Sequence, residues 1–188
     1  MWAAHGAFEL VCSNAGAPRN KRLRREPLGP EAHALFEVNS FAAVRLAQRF
    51  VDRLEAEGRT GQILITASEN SLSQPAAVKD FGLGLYAASK HALLALCEWM
   101  AWELKDSALS VHILLPGPVY SPALAAAIPD PSAGPPGFDM ISCARCAEIA
   151  LKGLDLGLRY IPTHAHLHAD MAPRDAAIAH AIAALNLD

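Results

Sequence analysis

The sequence predicts an α/β fold built on a mainly parallel sheet. Three observations carry that reading. Short apolar runs stop at small or polar turn residues: FELVC (8–12), GQILITAS (61–68), SVHILLP (110–116) and LRYIP (158–162). Stretches with helical spacing separate them, and alternation of strand and helix is the signature of parallel α/β sheets. No stretch reaches the roughly 18 continuous apolar residues of a membrane span.

The run at 8–12 ends in SNAG (13–16) and reads as a buried parallel strand. The loop at 18–30 follows, with Arg19, Lys21, Arg22, Arg24 and Arg25. It lacks interleaved aromatics, so a solvated surface is preferred to a phosphate or nucleic-acid contact. Residues 31–57 read as a helix with Phe41, Val44, Ala47, Val51 and Leu54 on one face, closed by Gly58. The β-branched run at 61–68 is the second strand, followed by a loop. A helix over about 84–106 places Leu93, Leu96, Cys97, Met100 and Leu104 on one face. The third strand is halted by Pro116, Gly117 and Pro118.

Residues 116–137 hold seven of the chain's thirteen prolines. A loop of that length is expected to be functional, and 120–140 reads as a substrate lid with one short helix near Ala123–Ala127. Ser142 reads as the N-cap of a helix to about Gly157. The strand at 158–162 and an Ala-rich helix in the tail, 165–188, complete the chain. Without repeats or a low-complexity linker, 1–188 is read as a single domain.

Composition narrows the function. The chain has 188 residues, is 52% hydrophobic and carries a formal charge of −3, which excludes disorder and any global pull toward nucleic acid or a membrane surface. The four cysteines are too scattered for a disulfide scaffold, and MWAAHGAFELVC lacks the pattern of a signal peptide, so the expected location is cytoplasmic. Cys12 and Cys97 read as small buried hydrophobes. Cys143 and Cys146 form a CxxC at a helix start without a second CxxC, and the structural reading is preferred. Three alternate histidines in HAHLH (164–168) would share a face on a strand, but no acidic partner is placed beside them, so no metal site is expected.

The chemistry centres on YAASK (86–90). Tyr86 and Lys90 stand one helical turn apart on one face. A free phenol has a pKa near 10, and a nearby cation is expected to lower it into the range of useful proton transfer. Ser68 ends the preceding strand at its carboxyl end, where ligands bind in doubly wound sheets. Ser71 and Ser73 compete for the serine role, and Ser68 is preferred because it directly follows the strand.

Taken in order, SNAG, VNS (38–40), ILITAS (63–68), YAASK and PGPV (116–119) resemble the short-chain dehydrogenase/reductase family. The resemblance runs from about residue 2 to 163. It implies a partial Rossmann-like doubly wound parallel sheet and an NAD(P)-dependent oxidoreductase that moves hydride between NAD or NADP and a secondary alcohol or ketone. By that resemblance Tyr86 is the acid/base, Lys90 tunes it and contacts the nicotinamide ribose, Ser68 orients the substrate oxygen, and Asn39 helps hold a relay water. Asn14, Ala15 and Gly16 border the adenosine side, and Pro116, Gly117 and Val119 face the nicotinamide. Ser121 stands near the cofactor phosphates, so the cofactor-binding set is these residues with Tyr86 and Lys90. The implied partners are a small-molecule alcohol or ketone and a second copy of the chain. That dimer would form through the helices at 31–57 and 84–106, with Trp99, Met100 and Trp102 as interface residues.

Two departures stand out within the motifs. Ser13 replaces an asparagine, and eighteen positions separate Ser68 from Tyr86. Upstream, the family's TGxxxGxG turn, which sets backbone N–H groups against a pyrophosphate, has no counterpart, because GLG (82–84) lies just before the catalytic helix. WAAHG (2–6) resembles the end of the helix before the family's fourth strand. The chain therefore reads as an N-terminally truncated, C-terminal part of such a domain, lacking the first three strand–helix units. The strand at 8–12 should then be an open edge, and cofactor binding by this chain alone should be weak. The alternative reading is a non-catalytic, family-derived association module.

Overall fold

The computed structural model describes residues 5–187. Residues 1–4, and with them most of WAAHG, lie outside the described residues. Four parallel strands form one sheet: β1 (Leu10–Ser13), β2 (Gly61–Thr66), β3 (Leu109–Leu115) and β6 (Tyr160–Pro162). Their order is β1-β2-β3-β6. The pairing Cys12↔Leu64 and Leu64↔His112 fixes the register, so that Ile63, Ile65, Val111, Ile113 and Leu115 point to one face. A two-residue parallel pair, β4 (Val119–Tyr120) with β5 (Ile141–Ser142), lies apart and was not foreseen.

Helices cover both faces. The stretch 30–57 is a helix in three parts: α1 (Pro30–Phe36), a π turn over Glu37–Phe41, and α2 (Ala42–Glu57). Gly58 closes it at φ 61°, a left-handed conformation that only glycine adopts freely. With α3 (Gly84–Glu103), α2 buries Phe50, Leu54, Leu93 and Cys97 against the first face. Phe41, expected on the core face, is exposed, because the π turn adds a residue and rotates it outward.

The second face is covered by α5 (Cys143–Asp155), which packs Ala150 on Leu64, Leu114 and Ile161. That cover does not extend over β1. Leu10 and Cys12, which point to this face, are therefore exposed, and the expectation that Cys12 is a buried hydrophobe is corrected. Among the described residues no strand pairs with the outer edge of β1.

The long loop after β2 contains two 3-10 turns, Glu69–Ser71 and Ala76–Phe81. Residues 122–127 form α4 (Pro122–Ala127). The last helix, α6 (Leu167–Ala184), takes in Leu167 and His168, so HAHLH is a turn running into a helix and its histidines do not share a strand face. Of the basic loop, Arg19 is spent on structure, pairing with the buried Glu26 at 2.5 Å and with Glu31 at 2.8 Å.

Candidate active site

β2 delivers its carboxyl end beside the first turns of α3. Ser68 is buried and in extended backbone, and its Oγ accepts from the Asn70 N–H at 3.2 Å, capping the 3-10 turn that follows. Lys90 is buried, reaches back over the sheet and donates from Nζ to Thr66 O at 2.9 Å. Its Nζ stands 5.9 Å from the centre of the Tyr86 ring. Of the competing serines, Ser73 Oγ donates to Glu69 O at 3.3 Å and Ser71 Oγ is buried without a partner among the described residues.

The electrostatics reverse one expectation. Burial pushes the Tyr86 phenol above its ordinary value, hydrogen bonding with Ser68 draws it back, and the Glu69 carboxylate adds to the rise. Lys90 does not bring the phenol down. Its own amine is desolvated and pushed down to about 8, so it stays mostly protonated at pH 7 and loses its charge well below the ordinary lysine range.

Asn39 sits in the π turn, fully buried. Its Oδ1 accepts from Ala17 N at 2.7 Å, and its Nδ2 donates to Ala17 O at 3.0 Å and to Ser89 Oγ at 3.0 Å. Ser89 Oγ in turn donates to Tyr86 O at 2.7 Å. Asn39 thus ties the turn after β1 to the turn of α3 that carries Tyr86. Asn14, Ala15 and Gly16 are exposed on that turn. A Cβ on Gly16 would lie 3.6 Å from both Asn39 Oδ1 and Lys90 Nζ, which places the turn directly over the lysine amine.

The turn after β3 is held differently. Gly117 N donates to Thr163 Oγ1 at 3.1 Å. A Cβ on Gly117 would approach Glu69 Oε2 and His164 Nδ1 to 2.6 Å, so only glycine fits. Val119 lies in β4, beyond the turn. The Ser121 hydroxyl accepts from Leu124 N at 3.3 Å and caps α4.

Sequence reasoning missed Glu69. Its carboxylate is buried, and His166 Nε2 lies 2.8 Å from its Oε2. The histidine run was noticed, but its acidic partner lies 97 positions away, and no local spacing announces such a pair. Beside the site, a cavity of about 460 Å³ is walled by Leu23, Pro75, Val78, Leu83 and Ala87, with Asn70 in its lining.

Serine, tyrosine and lysine thus gather beyond the carboxyl end of a parallel strand, the region where doubly wound α/β sheets bind ligands. The chain belongs to the short-chain dehydrogenase family, whose description is matched over residues 2–131. It is 35% identical over 162 residues to 1-deoxy-11-beta-hydroxypentalenate dehydrogenase of Streptomyces avermitilis, covering 85% of this chain and 57% of that protein. A protein of the same name from Streptomyces exfoliatus is 37% identical over 119 residues, 62% of this chain and 41% of that one. The chain thus spans about half the length of these relatives. Among solved structures, a short-chain dehydrogenase from Burkholderia phymatum in complex with NAD superposes with a TM-score of 0.75 at 21% identity, over 100% of this chain and 70% of that one. One from Burkholderia cenocepacia in complex with NADP gives a TM-score of 0.70 at 25% identity, over 96% and 71%.

Proposed function

We propose that this chain carries the proton-transfer residues of an NAD(P)-dependent oxidoreductase acting on a secondary alcohol or its ketone. The observation that carries the reading is the placement of Tyr86 and Lys90 one turn apart on α3, with Ser68 close enough to the phenol to counter part of its rise. In ketone reduction Tyr86 gives its proton to the carbonyl oxygen while Ser68 donates a hydrogen bond to the same atom, and in alcohol oxidation the proton runs the other way. Lys90 spends one of its three N–H donors on Thr66 O, which leaves donors for the ribose hydroxyls of a nicotinamide nucleotide.

The residues present fit the nicotinamide end of such a cofactor, since Lys90 keeps N–H donors to spare beneath the turn at Gly16. When bound, the nicotinamide supplies or accepts the hydride. The phosphate end has no glycine-rich turn within these 188 residues. Asn39 serves the site by fixing Tyr86 through Ser89. Residues 120–140, rich in Pro, Ala and Gly, act as the lid over an apolar or neutral substrate. Free cysteines fit a reducing, cytoplasmic setting.

The test is turnover. Alcohol oxidation and ketone reduction, followed by nicotinamide absorbance, should fall by about 10²–10⁴-fold in Tyr86→Phe. Turnover that survives this substitution contradicts the assignment. A second reading, a non-catalytic association module, is favoured by the edge of β1, left unpaired among the described residues, and by Trp99 and Trp102, which are exposed and meet edge to face at 5.6 Å. These two side chains are also where a homodimer would form. Met100, expected beside them, is buried in the protein's own core and is withdrawn from that surface.

A further inference from the structure

We propose that Glu69 and His166 form a positioning pair for the Ser68–Tyr86 site, clamping the segment after β6 onto the turn at Gly117 and holding a carboxylate beside the tyrosine. The proposal rests on the oxidoreductase reading for its purpose, but its geometry stands independently. Glu69 is 4% exposed, immediately follows Ser68, and its N–H donates to Pro116 O at 2.8 Å. Its carboxylate takes the bond from His166 Nε2, across 97 residues of sequence. A carboxylate buried in this way is expensive unless it is paired, so the pair fixes both segments.

Around it a chain of contacts joins four parts of the fold. Gly117 N donates to Thr163 Oγ1, which lies 2.7 Å from His164 Nδ1. His164 Nε2 lies 2.8 Å from Asp139 O, in the segment 120–140. The His164 and His166 rings are 5.2 Å apart. Asp170 on α6 stands 4.0 Å from His166. The charged and titratable groups facing Glu69 are therefore His164 and His166 from the segment after β6, Asp170 from α6 and Tyr86 from α3.

A merely structural clamp would hold the turn and leave the tyrosine's titration alone. A positioning carboxylate does both. Removing it should lower the midpoint of Tyr86, because Glu69 disfavours the phenolate.

The experiment uses NMR of ring-carbon-labelled tyrosine on the whole chain, with Tyr86→Phe to assign the resonance against Tyr120 and Tyr160. In Glu69→Gln the Tyr86 midpoint should move down while that of Tyr160 stays in place. Hydrogen exchange supplies the second readout. The Gly117 amide should lose protection in His166→Ala and regain it in His166→Gln, with α2 amides unchanged in both. His166 is partly exposed, so its variants remain informative should Glu69→Gln fail to fold. An unmoved Tyr86 midpoint in Glu69→Gln, or an unchanged Gly117 amide in His166→Ala, overturns the proposal. Neither readout needs cofactor or turnover, so failure of the oxidoreductase reading would show only in the assay.

Discussion

Lys90 holds a cationic side chain where the fold disfavours charge. Burial takes its amine from an ordinary 10.5 down to about 8, so the folded state holds this proton less tightly than the unfolded chain does. The unfolded chain binds the extra proton between these values, and stability from this group therefore rises with pH across that window. Below pH 8 the full cost is present. Lys90→Met should then be more stable than the natural chain at pH 7, by roughly 1–3 kcal/mol. The gain should shrink as pH approaches 10.5. Urea unfolding at several pH values checks this, and a gain that does not depend on pH would mean the charge is not its source. The same substitution should abolish turnover, as expected where a functional group is held against its own solvation.

At the scale of elements, the site depends on how three segments are tied together. Asn39 makes its bonds to Ala17 and Ser89 from inside the π turn. Asn39→Ala would leave the Ala17 N–H and C=O and the Ser89 hydroxyl short of partners. The expected loss is about 2–3 kcal/mol in chemical unfolding, and α3 should lose amide protection near Tyr86. Much of this element order was legible beforehand. The β-branched run at 61–68, the turn residues that stop each strand, Gly58 and the Ser142 cap all act locally, so short-range pattern reveals them. The π turn, the β4–β5 pair and the Glu69–His166 bond were not legible. Each depends on segments meeting in space, and a histidine run gives no hint of a partner 97 residues earlier. The direction of the Tyr86 shift is hidden from the sequence for a related reason. The spacing of YAASK places a lysine near a phenol, but only the packed structure shows how far both are desolvated.

The whole molecule has one well-covered side and one open side. The α2 and α3 layer closes the first face of the sheet, while α5 covers β2, β3 and β6 but leaves Leu10 and Cys12 bare beside a strand edge that none of the described residues pairs. Such an edge offers N–H and C=O groups to any extended chain. The isolated chain should self-associate with rising concentration, and the paired change Leu10→Lys with Cys12→Lys should reduce that association. Sedimentation velocity checks it, and a chain that stays monomeric at all concentrations would contradict the prediction. The same openness bears on the site. Ser68, Tyr86 and Lys90 lie together beside the carboxyl end of β2 and the turn at 13–16 lies over the lysine, while no glycine-rich phosphate turn occurs among the 188 residues. The central proposal is that this chain holds the proton-transfer, nicotinamide-side residues of a dehydrogenase site. The most direct test is a fluorescence titration of the 188-residue chain with NADH and NADPH. The account predicts weak binding that does not saturate in the micromolar range, and a micromolar dissociation constant for either nucleotide would contradict it.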